Sequence, residues 1–238
     1  MQASIVIGED MEKKKKNPFA LYIFASLMVL FVILISIIFK SSWFATISGI
    51  LGLLTVIFQA HGKILGQVLG IIDSLSYGIF AYYYHYYGET IVYIFILIPI
   101  FIYGIFSWSK HKNNSHILPN KIRPKEIFII TIISLILSYV IYVFLKMVGT
   151  NNVILNVVSM LTLTIANYLI ARRNICGFLF LIANDAILLS LWIITFLSLD
   201  QSVLSFILCV IINLINDTIG FFNWLKFQKK EYYQDENN

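Results

Sequence analysis

Charge is scarce in this 238-residue chain: Asp, Glu, Lys and Arg make up 12% of it, against 59% hydrophobic residues and a mean hydropathy of +0.85. A chain so poor in charge cannot cover the surface of a water-soluble domain. Cysteine is nearly absent. Cys176 and Cys209 both fall inside apolar stretches, without CxxC spacing or paired histidines, which argues against a disulfide framework or a zinc site and leaves them as small packing residues. There is no GxxxxGK[ST] loop, no GxSxG, no HExxH and no Gly-rich nucleotide loop. ATP-driven pumping, hydrolase chemistry and a cofactor therefore have no sequence support, and nothing resembles a nucleic-acid module.

Long apolar runs fill the space that charge leaves. A hydrocarbon core of about 30 Å needs roughly 20 apolar residues per helix, and the chain reads as eight such helices near 18–39, 43–60, 64–84, 89–108, 126–147, 152–170, 175–197 and 201–224. The expected fold is an all-α polytopic bundle. No extramembrane segment is long enough for a catalytic domain, so any activity must sit within the helices and an enzyme is not expected. The run from Leu21 to Phe39 is too long for a signal-peptide core and no small-residue cleavage site follows it, so it reads as a retained helix.

The 17 Lys and Arg residues set the orientation. Starting with Lys13, Lys14, Lys15 and Lys16 in the cytoplasm and crossing eight times leaves only Lys40 and Lys146 outside. That bias satisfies the positive-inside rule and predicts a multi-pass protein of the cell membrane with both termini cytoplasmic. Glu89 and Asp200 are expected to mark outer loops.

The last seven helices read as a three-helix unit, one linking helix, and the unit again. Gly66 to Asp73 runs parallel to Gly177 to Asp185, and Tyr103-Gly104-Ile105-Phe106-Ser107-Trp108 answers Ile219-Gly220-Phe221-Phe222-Asn223-Trp224. An odd-numbered unit repeated after one linking helix returns in the same orientation, so the repeats are parallel, about an axis along the membrane normal. The expected division is a tail and extra helix over 1–42, a first unit over 43–112, a loop and linking helix over 113–150, a second unit over 151–230 and a tail over 231–238.

Ionisable groups inside the hydrocarbon zone cost at least a few kcal/mol on insertion scales, so Asp73, Asp185 and Asp217 are functional candidates. Asp73 shares a helical face with Gln67, Gly70 and Tyr77, a stripe that would either line a solute path or bond neighbouring helices. Asp185 and Asn184 share a face with Phe178, Leu181 and Trp192, where aromatic rings beside a carboxyl and an amide would suit a planar ring carrying hydroxyls; the competing reading is packing. On the last helix Asn213, Asn216, Asp217, Gly220 and Trp224 recur at helical spacing; Asn213 and Asp217 are solute candidates and Trp224 an interfacial residue. Pro99 interrupts the fourth helix and frees a backbone carbonyl. His61 and Lys63 read as loop anchors. The cluster Tyr82, Tyr83, Tyr84, His85, Tyr86 and Tyr87 reads as an aromatic belt, with His85 as a pH sensor the less favoured alternative.

The stretch from Gly62-Lys63-Ile64 to Gly70-Ile71-Ile72-Asp73, the group Ile102-Tyr103-Gly104 with Trp108, and Asn216-Asp217-Thr218-Ile219-Gly220 with Trp224 resemble the PnuC family of nicotinamide riboside transporters, over Ile47 to Lys230. The resemblance implies a three-plus-one-plus-three bundle similar in plan to sugar facilitators, a trimer, and a solute site in the middle of each protomer. The family pattern reads Trp-x-x-Trp and then Asn in the middle helix of the second unit; Phe178, Leu181 and Asp185 stand there in this chain. One stacking wall is thereby lost and a carboxyl replaces an amide. An acid at Asp185 would suit a cationic ring such as nicotinamide riboside or thiamine by charge, or a sugar hydroxyl by hydrogen bonding.

The expected function is facilitated diffusion of nicotinamide riboside or a related nucleoside-like vitamin across the bilayer, with an intracellular kinase trapping the solute. Deoxyribonucleosides or thiamine are alternative solutes, and proton coupling through Asp73, Asp185 or Asp217 an alternative mechanism. A membrane scaffold or sensor subunit without transport is the alternative of another class; it predicts no cavity at Asp185.

Overall fold

The computed structural model describes residues 18–112, 117–198 and 201–236. Lys13 to Lys16 and Asp200 lie outside them. Eight helices are long and apolar enough to cross a membrane: α1 (Pro18–Ile38), α2 (Trp43–Ala60), α3 (Ile64–Tyr83), α4 (Tyr87–Lys110), α5 (Pro124–Val148), α6 (Val153–Ala171), α7 (Cys176–Ser198) and α8 (Leu204–Glu236). The described residues form no strands.

Helix boundaries follow local chemistry. Pro124 opens α5, where its missing N–H is unneeded, Glu126 lies in the first turn and Lys146 in the last, and Gly149 ends the helix at φ +75 with its N–H on the Leu145 carbonyl. A one-turn π-helical stretch, Val92–Leu97, interrupts α4 immediately before Ile98-Pro99. The Pro99 ring cannot donate to the carbonyl of the preceding turn and crowds it, and a widened turn relieves that contact. α8 begins one residue after a 3-10 turn over Gln201–Val203 and runs well past the expected end at residue 224.

Six helices close a ring. α2 packs on α3, α3 on α4, α6 on α7 and α7 on α8, while α4 meets α6 and α8 meets α2. The third helix of each triplet thus contacts the first helix of the other. α1 lies outside the ring against α2 and α8, where Ala25 and Val32 pack with Leu53, Ile57 and Cys209. The hydroxyls of Ser36 on α1, Thr46 on α2 and Ser205 before the middle of α8 are joined in a chain at 2.5 and 3.1 Å. α5 is the most peripheral, with Phe128, Ile132, Ile136 and Tyr139 exposed. It is tied to α6 by Arg172 and Tyr168, both donating to the Glu126 carboxylate at 2.9 Å. Apolar side chains pointing outward are the expected surface of a bundle in lipid, where close packing and interhelical hydrogen bonds, not burial of apolar area, hold the helices together.

Close packing is visible at two matching glycines. A side chain at Gly66 would collide with the backbone of Gln59 and Thr55, and one at Gly177 with the backbone of Ile170 and Ala166. The α2–α3 and α6–α7 hairpins are therefore pinched in the same way, at positions 111 residues apart in sequence.

One acid departs from expectation. Glu89 does not lie in an outer loop: it sits in the first turn of α4 with no exposed surface, and its backbone N–H donates to Asn156 Oδ1 at 3.2 Å. The ring of helices, not the local sequence, turns it inward against α6.

Candidate functional site

At the end of the bundle that carries Lys63, Lys110, Arg172 and Lys226, here the cationic end, a layer of aromatic side chains fills the centre. Trp108 Nε1 donates to the Ile170 carbonyl at 3.0 Å and Trp224 Nε1 to the Gln59 carbonyl at 3.2 Å, with the two rings 5.4 Å apart. Phe178 packs 5.5 Å from Trp224 and against Gly220. Gln67 packs against Gly104 in the same manner. Beneath them Ile117, wholly buried, meets Phe227 at Gly62. Residues following it are strapped to the α6–α7 turn: the Asn120 N–H donates to the Arg173 carbonyl at 2.8 Å, and Arg173 Nη1 donates to the Leu118 carbonyl at 3.1 Å.

A second aromatic layer fills the opposite end. Trp192 stacks on Phe80 at 4.6 Å and 11°, and its indole N–H donates to the Tyr77 hydroxyl at 3.1 Å. Tyr86 is buried beside it, its hydroxyl 2.5 Å from Thr195 Oγ1.

Between the layers lies a cavity of about 60 Å³, room for a few water molecules. Asp73 and Tyr77 reach it from α3, Leu181, Asn184 and Asp185 from α7, and Asn213 and Asp217 from α8. Gln67, Phe178 and Trp192, which the sequence grouped with them, do not line it; they belong to the aromatic layers above and below. Asp73 Oδ1 and Asn213 Nδ2 both approach Gly52, 3.4 and 3.8 Å from where a side chain would begin. Asn184 Oδ1 accepts from Ser159 at 3.0 Å and Thr162 at 3.1 Å, so α6 fixes its orientation. The carboxyls of Asp185 and Asp217 face each other across the α7–α8 contact.

Sequence reasoning missed part of the wall. Thr55 and Gln59 on α2, Asn167 on α6, Tyr93 and Phe101 on α4 and Phe206 on α8 also line the cavity. Thr55 and Gln59 are polar, one helical turn apart and buried in an apolar span, a signal the sequence did carry. Tyr93 and Phe206 sit in apolar runs where an inward-facing ring looks no different from a lipid-facing one.

The wall carries three carboxyls and, among the described residues, no Lys, Arg or His. Its volume is far below the roughly 300–1,000 Å³ of pockets that enclose drug-sized ligands. An aromatic layer lies across each end, and at this volume a solute of nucleoside size enters only when helices separate.

Residues 42–226 match the model of a family described as nicotinamide mononucleotide transporter. A nicotinamide riboside transporter PnuC of Neisseria mucosa is 23% identical over 195 residues, 79% of this chain and 74% of its own length. Its counterpart from Haemophilus influenzae is 34% identical over 74 residues, 31% of this chain and 33% of its own length. A solved structure, the crystal structure of the vitamin B3 transporter PnuC, superposes with a TM-score of 0.76 at 20% identity, covering 90% of this chain and 93% of that one. At that identity the likeness is one of fold.

Proposed function

The chain belongs to the nicotinamide mononucleotide transporter family, and we propose that the solute it carries is nicotinamide riboside, the nucleoside, in preference to the phosphorylated mononucleotide. It is a membrane transporter and not an enzyme. The observation that carries the choice of solute is the wall of the central cavity: Asp73, Asp185 and Asp217 converge there without a cationic partner. A phosphate would meet three carboxyls in a low-dielectric space with no Lys or Arg to neutralise it, whereas a riboside brings a pyridinium cation and hydroxyl donors. The curated relatives' names point to the same solute.

The mechanism we infer is facilitated diffusion by rocking of α2–α4 against α6–α8 about the cavity. The ring of contacts supports it, because the backbones of the two triplets meet at the third helix of each against the first of the other, while their middle helices meet through side chains such as Trp192 on Phe80, leaving two seams that can open alternately at either end. Residues 43–112 and 151–230 are then the two units, with 113–150 linking them and 1–42 and 231–238 outside the core. The cationic end faces the cytoplasm of the cell membrane, with both termini on that side; the protein is a trimer, and an intracellular kinase traps the solute. The scaffold alternative required no cavity at Asp185, and the cavity stands against it.

Solute counterflow in proteoliposomes tests the reading. Vesicles loaded with unlabelled nicotinamide riboside should transiently concentrate labelled riboside and not labelled mononucleotide; equal counterflow of the mononucleotide would overturn it. An imposed proton gradient that drives accumulation above equilibrium would replace diffusion by coupling through the cavity carboxyls.

A further inference from the structure

The cavity wall is not uniform along the bundle axis. Toward the end closed by Trp192 it is aromatic: Tyr77 lies 4.1 Å from Tyr93 and stacks on Phe206 at 5.3 Å and 23°. Toward the cationic end its polar groups are Thr55, Gln59, Asn167, Asn213 and Asp217, with Asp185 beside them and Phe101 and Leu181 completing the wall. A solute with one flat end and one polar end has only one good orientation in such a space.

Hydrogen bonding in the polar half is incomplete within the protein. Both oxygens of Asp217, Asp185 Oδ2, Asn213 Oδ1, Gln59 Nε2 and Thr55 Oγ1 are buried, and apart from the contact between the two carboxyls they have no protein partner. Asp217 is 1% and Asp185 7% exposed, so bulk water does not serve them in this state. Four of these six atoms are carboxyl or amide oxygens, so the unmet need is chiefly for donors. A vicinal diol supplies two O–H donors at a spacing that matches the two oxygens of one carboxylate, the same fork geometry that makes bidentate contacts strong.

We propose that Asp217, with Asp185 facing it, receives the 2′,3′-diol of the solute's ribose while the ring points toward Tyr77, Tyr93 and Phe206, so that this acid selects ribonucleosides over deoxyribonucleosides. The inference rests on the nucleoside reading above. A 2′-deoxy or 3′-deoxy analogue leaves one buried carboxylate oxygen without its donor. A thiamine-like solute, which has no diol, leaves both. Each charge-assisted hydrogen bond lost in this way corresponds to about tenfold to a hundredfold in affinity.

Calorimetric titration of the full-length protein in detergent decides it, with nicotinamide riboside and its 2′-deoxy and 3′-deoxy analogues, on wild type and Asp217→Asn. The wild type should bind the riboside at least about tenfold more tightly than either analogue. In Asp217→Asn that preference should shrink to within about threefold, with the loss falling on the riboside and not on the analogues. Equal wild-type affinities for all three ligands would overturn the inference while leaving the riboside reading intact, and this comparison needs no variant to fold. A preference undiminished in Asp217→Asn would also overturn it. Wild-type protein that binds none of the three would overturn the riboside reading, and the inference with it.

Discussion

Trp108 and Trp224 lie with their ring centroids 5.4 Å apart at the cationic end, and each makes its hydrogen bond to the first helix of the other's triplet. Trp108, near the end of α4, donates to Ile170, the next-to-last residue of α6; Trp224, on α8, donates to Gln59, the next-to-last residue of α2. Both carbonyls lie in the last turn of a helix and also accept a backbone N–H from the turn that follows, Arg173 on Ile170 at 2.8 Å and Gly62 on Gln59 at 2.9 Å. The pair therefore joins the two triplets at the floor of the cavity by two equivalent links.

Replacing either tryptophan by phenylalanine keeps a ring and removes one buried hydrogen bond, at a cost of about 1 kcal/mol. For a chain of this length that lowers the melting temperature by about 2–4 °C. Because the rings touch, the double variant should depart from additivity by about 0.5 kcal/mol or more. Thermal melts of the four proteins in one detergent check this; strict additivity would mean that the two links act independently.

Gly52 is where the cavity can be filled without breaking the bundle, since a methyl group there makes only ordinary contact with Asp73 and Asn213. Gly52→Ala should fold normally. Gly52→Leu should occupy the space of the solute and abolish riboside binding, at a melting temperature within a few degrees of wild type. Titration calorimetry alongside a melt separates the two effects, and tight binding to Gly52→Leu would place the solute elsewhere.

Cys209 lines the cavity and is 1% exposed, whereas Cys176 is exposed. In a Cys176→Ala background, maleimide labelling of Cys209 should be slow and should report each opening of the bundle. Saturating nicotinamide riboside should slow it further by occupying the same space. Intact-protein mass spectrometry follows the rate; fast labelling unaffected by the riboside would place the solute away from Cys209.

Glu89 is buried, with no cation beside its carboxyl and the Ser159 hydroxyl on α6 as its polar neighbour. Gln has nearly the same shape and no ionisable group, so Glu89→Gln should leave the melting temperature unchanged or raise it. Glu89→Ala should lower it, since it empties buried space beside Ser159 on α6. A fall of more than about 5 °C in Glu89→Gln, about 1–2 kcal/mol at this size, would show that the carboxyl itself is needed.

The intramembrane acids were legible in the sequence because charge in an apolar run is conspicuous whatever the fold, and Asp73, Asp185 and Asp217 do lie around one cavity. Their neighbours were harder. Helical periodicity assigned Phe178 and Trp192 to the face of Asp185, but at the same angle they stand a turn or more above and below it, in the aromatic layers. A face is a direction around one helix; a site is also a depth, and depth depends on where neighbouring helices leave space.

By itself, the sequence determined the eight spans, the cationic end and the acids that lipid cannot accept, because partition between water and hydrocarbon acts on each segment separately. Tertiary structure alone decided that Glu89 is buried, that Trp108 and Trp224 meet, and that Thr55, Gln59, Tyr93 and Phe206 share a wall with Asp217. In lipid an apolar side chain is equally at home facing outward or inward, so only the packing of the ring, through contacts such as Gly66 on Gln59 and Gly177 on Ile170, settles which face of each helix looks into the cavity.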